Sequence, residues 1–590
     1  MPEITRRGWM QGVAATTAAI AGARGAAAQN SGAGDVARAD TLIATGQPSG
    51  GAPTFTQYND FNPFHPGLDL RSSVAFVLEP LFYYSVLPDK MIPWLAASYE
   101  YNPDYTELTV HLRQGVTWND GKPFSADDVI FTLDMLRQNG RGKGDQTYAS
   151  AMARDIKDLV RVDDHTVRIA LNHRDPRWMF TYLTVRFTEG AFILPKHVYE
   201  TAKPDDLGSF TGLSPAGPNG PVGTGAFKIA SMTPERIVLD QRDDWWGVTT
   251  GFSKPPQMKR VIFVPFTTHE QAAQLIGNGD VDTILEAYVP MMKSLLSRFP
   301  DRITCFSGNK PPYGNIDWWP TSLIFNHDDP QFHDVRIRRA VSLYLNRKQA
   351  VDYAYQGAAA IYGLPYPRYP RLEQYFPAME GTIKQLRILD YDNAAADALM
   401  KEAGAVKDAS GVWTLNGKQM GGDLYFPISL DAIGPVVAEQ LRRAGFKVAP
   451  NTRPGYRNEV FYGRAAWFLW GHGASVNDPY QTLALYHKRV WRPIGENPFW
   501  PSRWRNDEFS DLVDKIEALA PDDAGVPPLV DQALTIWLRE QVACPISQYY
   551  HRIPFSQTYW KNWPSEKDPY INPTFWHNTG TLLLLGLQKA

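Results

Sequence analysis

Segments whose apolar residues recur at every second position alternate with segments of helical period along nearly the whole chain. That alternation limits the available folds more than any other feature. Tyr99–Arg113 reads as a strand, with Leu108, Val110 and Leu112 on one face. A turn at Asn119–Pro123 follows, where Asp120-Gly121 tolerates positive φ and Pro123 fixes the exit. Ser125 is placed to cap a helix over Ala126–Arg137, with Asp128 three positions on. Val160–Leu171 reads as a β-hairpin turning at Asp163–His165. Pro221–Gly225 reads as a tight turn into a strand over Ala226–Ser231, and Thr41–Thr45 as a short buried strand. Further helices are expected at Gln271–Gly277, Asp334–Leu345, Asn393–Ala403 and Ile433–Ala444, the last backed by a strand at Phe446–Val448. Mixed in this order, strands and helices predict an α/β protein. The trio Arg336, Arg338 and Arg339 is expected to be a solvated face or a set of structural ion pairs rather than an anion site.

The N-terminal residues read as an address. Thr5-Arg6-Arg7-Gly8-Trp9-Met10 looks like a twin-arginine export motif, and an Ala-rich run from Gly12 to Ala23 leads to the small residues Ala26-Ala27-Ala28. Residues 1–28 are therefore expected to be a signal peptide and residues 29–39 a flexible lead-in. A membrane span takes about 20 strongly apolar residues, which this run lacks. No Cys lies near the cleavage point to carry a lipid anchor. The expected product is a soluble protein of the periplasm.

Removing that leader leaves a chain too long for one core, so at least two lobes are expected. The net charge of −3 becomes two units more negative once Glu3, Arg6, Arg7 and Arg24 leave. A mildly acidic surface argues against nucleic acid, whose phosphates need a basic patch. Cys305 and Cys544 could form one disulfide or remain two buried thiols. Eighteen Trp residues exceed what core filling alone asks for, and a cleft that stacks flat ligand faces would use them.

No reacting constellation accompanies these features. The sequence holds no His-Glu-x-x-His, Gly-x-Ser-x-Gly, Walker-type loop or Cys-x-x-Cys. The pairs Asp127-Asp128 and Asp243-Asp244 read as capping and turn residues. No enzyme, cofactor or metal is expected from these residues.

Three distant segments carry a family resemblance. Arg113–Leu136 (RQGVTWNDGKPFSADDVIFTLDML), Pro221–Gly247 (PVGTGAFKIASMTPERIVLDQRDDWWG) and Phe325–Gly357 (FNHDDPQFHDVRIRRAVSLYLNRKQAVDYAYQG) together closely resemble the bacterial extracellular solute-binding protein family 5. Tyr559–Tyr570 (YWKNWPSEKDPY) resembles some members too. The resemblance implies a large type II periplasmic-binding-protein fold of three subdomains, with two lobes joined by a hinge. Residues 40–309 and 546–590 are then expected to form lobe I, with an inserted subdomain at about 86–218, and residues 310–545 to form lobe II. The implied partners are a small solute and the permease and ATPase of an ABC importer, served by a monomer.

In oligopeptide binders of this family, an acidic residue shortly before an Asn-acid-Pro triplet pairs with the peptide ammonium. Anchored on Asn477-Asp478-Pro479, that position here is Ser475. A buried ammonium without its carboxylate costs several kcal/mol, so a neutral ligand is expected, with sugars the natural candidate. Trp318, Trp319, Tyr456, Trp467, Trp470, Trp500 and Trp504 are the candidate stacking residues, each with core packing as the competing role. His472, Ser475, Asn477 and Asp478 complete the candidate site; for His472 an ordinary hydrogen-bonded or solvent-facing role is the simpler reading, and for Asp478 a helix cap. A peptide ligand, its ammonium on Asp478 or Asp317, is the competing expectation.

Overall fold

The computed structural model describes residues 36–46, 54–55, 62–64, 71–142, 146–210 and 221–590. The export motif and residues 1–28 lie outside them. Two sheet systems organise the rest. The first is a four-stranded sheet in the order Thr41–Gly46, Arg260–Pro265, Arg236–Gln241, Phe227–Thr233, with its first pair parallel and the others antiparallel. Beside it stands an antiparallel sheet ordered Ala96–Tyr101, Glu107–Leu112, Thr166–Leu171, Ile156–Asp163. The second system is a five-stranded mixed sheet in the order Lys447–Asn451, Gly421–Tyr425, Trp467–Gly471, Asn315–Phe325, Ala543–His551.

The local reasons are readable residue by residue. Ser125 and Asp128 form a reciprocal capping box at the start of Ala126–Arg141. Gly445, at φ 105°, ends Gly434–Ala444 in the left-handed conformation that glycine adopts without strain. The strand expected over Tyr99–Arg113 is instead two strands, Ala96–Tyr101 and Glu107–Leu112. The Asn102 side chain accepts from the backbone N–H of Thr106 and Glu107 at 2.9 and 3.0 Å and so holds the turn between them. The face of Leu108, Val110 and Leu112 is buried as its alternation requires.

Arg338 is buried, and its guanidinium donates to the carbonyls of Phe332, His333 and Glu540 at 2.8, 2.8 and 2.6 Å. It ties the helix Val335–Tyr344 to the end of Val526–Arg539, a structural task. Arg38, within the expected lead-in, pairs with buried Asp282 at 2.8 Å. Cys305 and Cys544 are both buried free thiols.

The chain passes from one half to the other twice. Ile303–Thr304 pairs with Phe555–Ser556 in the first half, whereas Asn315–Phe325 and Ala543–His551 pair in the second. The strand containing Ile546 therefore runs on to His551 before the chain returns. Tyr84, Val86, Phe180 and Phe187 from the first half enter one hydrophobic cluster with Trp470, Tyr480, Trp500 and Trp537 from the second. The two halves meet along a packed seam.

Candidate functional site

The site grows from the parting of two neighbouring strands. Asn315–Phe325 and Trp467–Gly471 pair antiparallel, Thr321 opposite Gly471, and the chain then leaves the sheet through His472–Pro479. Gly471 lies under Trp319: a Cβ there would meet that indole at 2.3 Å. The turn passes through Ala474 at φ 105°, a conformation that costs an L residue of order 1 kcal/mol and persists only where its surroundings fix it. Those surroundings are two reciprocal bonds: the Thr482 N–H donates to Ser475 Oγ at 2.9 Å, and the Ser475 N–H to Thr482 Oγ1 at 3.3 Å.

The expected residues separate into two groups. Trp318, Trp319, Tyr456 and Asn477 are partly exposed. Trp318 stacks on Phe187 at 5.1 Å, and Trp319 leans on Trp470 at 5.4 Å, which in turn meets Tyr456 at 6.2 Å. Trp467, Trp500 and Trp504 belong to the interior, where core packing accounts for them. Trp467 lies between Phe332 and Phe446, Trp500 packs on His472 and Tyr486, and Trp504 on Phe509. Trp470 is mostly buried as well, under the Arg457 guanidinium.

The polar candidates are committed to neighbours. His472 is fully buried between Ser322 Oγ and the Tyr486 hydroxyl at 2.7 and 2.8 Å, and burial pushes its pKa down to about 3. It is a neutral strut of the core. Ser475 is buried and spent on Thr482. Asp478 receives the Tyr480 N–H on Oδ1 at 2.8 Å, capping the helix that follows, and the Arg177 Nε–H on Oδ2 at 2.7 Å. Asp317 faces His551 Nε2 at 3.3 Å.

Three groups that the sequence did not single out complete the seam. Arg177 reaches across from the first half to Asp478, 301 positions away. Phe187, buried and at φ 43°, lies nearly parallel to Trp318 and Tyr369, and its carbonyl accepts from the Asn578 N–H. His551 sits between Glu286 of the first half and Asp317 of the second. Burial disfavours the charge on His551, but Asp317 and Glu286 outweigh it and hold the imidazolium up to about 10. Its neighbour His577 is pushed down to about 3 by burial and by that same charge. No local motif marks these residues, because each acts through a partner far away in sequence.

The architecture, two α/β lobes meeting along a seam with paired crossing strands, is that of the type II periplasmic binding proteins. Residues 90–491 match the family described as bacterial extracellular solute-binding proteins, family 5 Middle. The chain belongs to that family. An oligopeptide ABC transporter periplasmic oligopeptide-binding protein of Thermotoga maritima superposes with a TM-score of 0.79 at 24% identity, covering 94% of this chain and 100% of that one. A mannohexaose-bound structure of the same Thermotoga protein gives 0.76 at 22% identity, covering 94% and 99%. The dipeptide-binding protein of Escherichia coli is 26% identical over 366 residues, 59% of this chain and 62% of that protein. A Brucella ovis protein named for peptide binding in an ABC transporter is 26% identical over 331 residues, and the match spans 56% of its length. Among the described residues no helix is long and apolar enough to cross a membrane.

Proposed function

We propose that this protein is the exported solute receptor of an ABC importer, capturing an uncharged oligosaccharide or glycoside between its lobes and delivering it to the permease. The observation that carries the ligand class is the state of the acids. Ser475 stands where oligopeptide binders place a carboxylate. Of the two alternatives, Asp478 is matched by Arg177, and Asp317 shares the His551 imidazolium with Glu286. The partly exposed indoles of Trp318 and Trp319 suit the C–H face of a pyranose ring. The mannohexaose found in the Thermotoga neighbour fits this reading. Capture follows from contacts on both lobes that stabilise the closed form.

A second reading keeps the transport role and makes the ligand a di- or oligopeptide. The peptide-binding names of the relatives favour it. Calorimetric titration of wild-type and Trp319→Ala protein separates the two. Mannohexaose binding weakened by about tenfold or more in the variant, with no response to Ala-Ala, fits the sugar reading. Ala-Ala binding that depends on a free amine fits the peptide reading.

A further inference from the structure

The geometry points to Arg177 as a residue that sets ligand specificity from the opposite lobe, by holding Asp478 away from cationic ligands. This inference rests on the uncharged-ligand reading above and gives it a cause. Arg177 and Asp478 are 3% and 2% exposed, so their pairing takes place out of water. Nε donates to Asp478 Oδ2 at 2.7 Å. Nη1 is spent on the carbonyls that end the helix Asp507–Ala518: Ile516 at 2.9 Å, Glu517 at 3.2 Å and Leu519 at 2.5 Å. The other Asp478 oxygen is taken by the Tyr480 N–H. The carboxylate has thus both oxygens occupied and its charge matched.

What remains unspent is one-sided. Arg177 Nη2 is buried and has no hydrogen-bond partner. A guanidinium offers donors only. A ligand hydroxyl or carbonyl oxygen that reached Nη2 would find a hydrogen-bond donor, whereas an ammonium would meet a like charge beside a carboxylate already matched by it. Asp478 lies three positions from Ser475, within the turn where the family resemblance places the carboxylate that pairs with a peptide ammonium. This chain thus keeps a carboxylate within the turn and silences it from the other lobe.

The test is a charge exchange read by calorimetric titration, with mannohexaose, Ala-Ala and N-acetyl-Ala-Ala as probes. Arg177→Gln keeps donors for the helix carbonyls but leaves Asp478 unmatched. It is expected to bind Ala-Ala about tenfold or more tightly than wild type, while N-acetyl-Ala-Ala shows no gain. Arg177→Lys is expected to restore the wild-type pattern. An Arg177→Gln protein that folds and gains no amine-dependent binding overturns the assignment and leaves the uncharged-ligand reading standing. Amine-dependent binding of Ala-Ala by wild type overturns that reading itself. Should Arg177→Gln fail to fold, Asp478→Asn runs the test in reverse. Its unmatched guanidinium is expected to favour trigalacturonate over mannohexaose by about tenfold more than wild type does, and an unchanged ratio overturns the assignment.

Discussion

Two buried charge clusters tie the halves of this protein together, and they carry opposite surpluses. At Arg177 one cation meets one carboxylate and a row of helix-end carbonyls, with a donor nitrogen left over. At His551 one cation meets two carboxylates, Glu286 and Asp317, with the Tyr549 hydroxyl also donating to Glu286 at 2.8 Å. The first lies beside the candidate ligand turn; the second lies where the strands cross between lobes. On the uncharged-ligand proposal, a site that refuses ammonium groups would benefit from excess donors. A crossing that must stay together benefits from a cation that neither lobe releases. Arg177 and Asp478 are buried whereas Glu286 is partly exposed, and the clusters differ also in what each leaves unmatched.

The largest expected effect comes from unmatching the first cluster. Arg177→Ala leaves Asp478 buried and unpaired, at a cost of about 3–5 kcal/mol in stability by chemical denaturation. Asp478→Ala should cost a similar amount. The double variant should cost clearly less than the two singles together, since the pair acts as a unit. Additive losses would mean that Arg177 acts mainly through the helix carbonyls.

His551→Gln is expected to cost less, about 2–3 kcal/mol near neutral pH, because Glu286 keeps Tyr549 and a carboxylate can take up a proton instead. The pH dependence has a definite sign. The folded pKa of about 10 lies above the ordinary histidine value of 6.5. The stabilisation is therefore complete below about 6.5 and lost as pH rises through 10. Wild type and variant should converge in denaturation midpoint at high pH; a gap that persists there breaks the account of the second cluster.

A smaller effect sharpens the comparison from the acid side. His472 and His577 are held neutral, each with a pKa near 3. Below 6.5 the unfolded chain binds protons that the folded chain does not. Stability should fall by up to about 1.4 kcal/mol per pH unit for each of them. Replacing His472 with Gln, which keeps hydrogen-bonding capacity without titrating, should flatten that slope measurably between pH 6 and 4.5.

Periodicity and end signals were enough to read some elements of the fold, whereas Arg260–Pro265, Ala543–His551 and Val526–Arg539 went unread. The Ser125 cap, the hairpin ending in Thr166–Leu171 and the Gly445 helix end are local events, set by residues within a few positions of each other. The hairpin at Asn102 was missed because Leu108, Val110 and Leu112 continue an alternation that masks the break before them. The site was legible only in part. Trp318 and Trp319 lie in a segment that looks like a crossing, and the structure leaves them partly exposed. Trp500 and Trp504 looked the same in sequence yet are packed by His472, Tyr486 and Phe509, which come from other elements. Aromatic composition cannot tell a wall from a core, because packing partners decide. Arg177 was invisible for the same reason: its meaning lies 301 positions away, at Asp478.

The most direct measurement is native mass spectrometry of the protein purified from its own host, with the mass of any bound ligand read on release. An uncharged ligand with hexose or pentose spacing is expected. A ladder of amino-acid masses carrying a free amine would contradict that expectation.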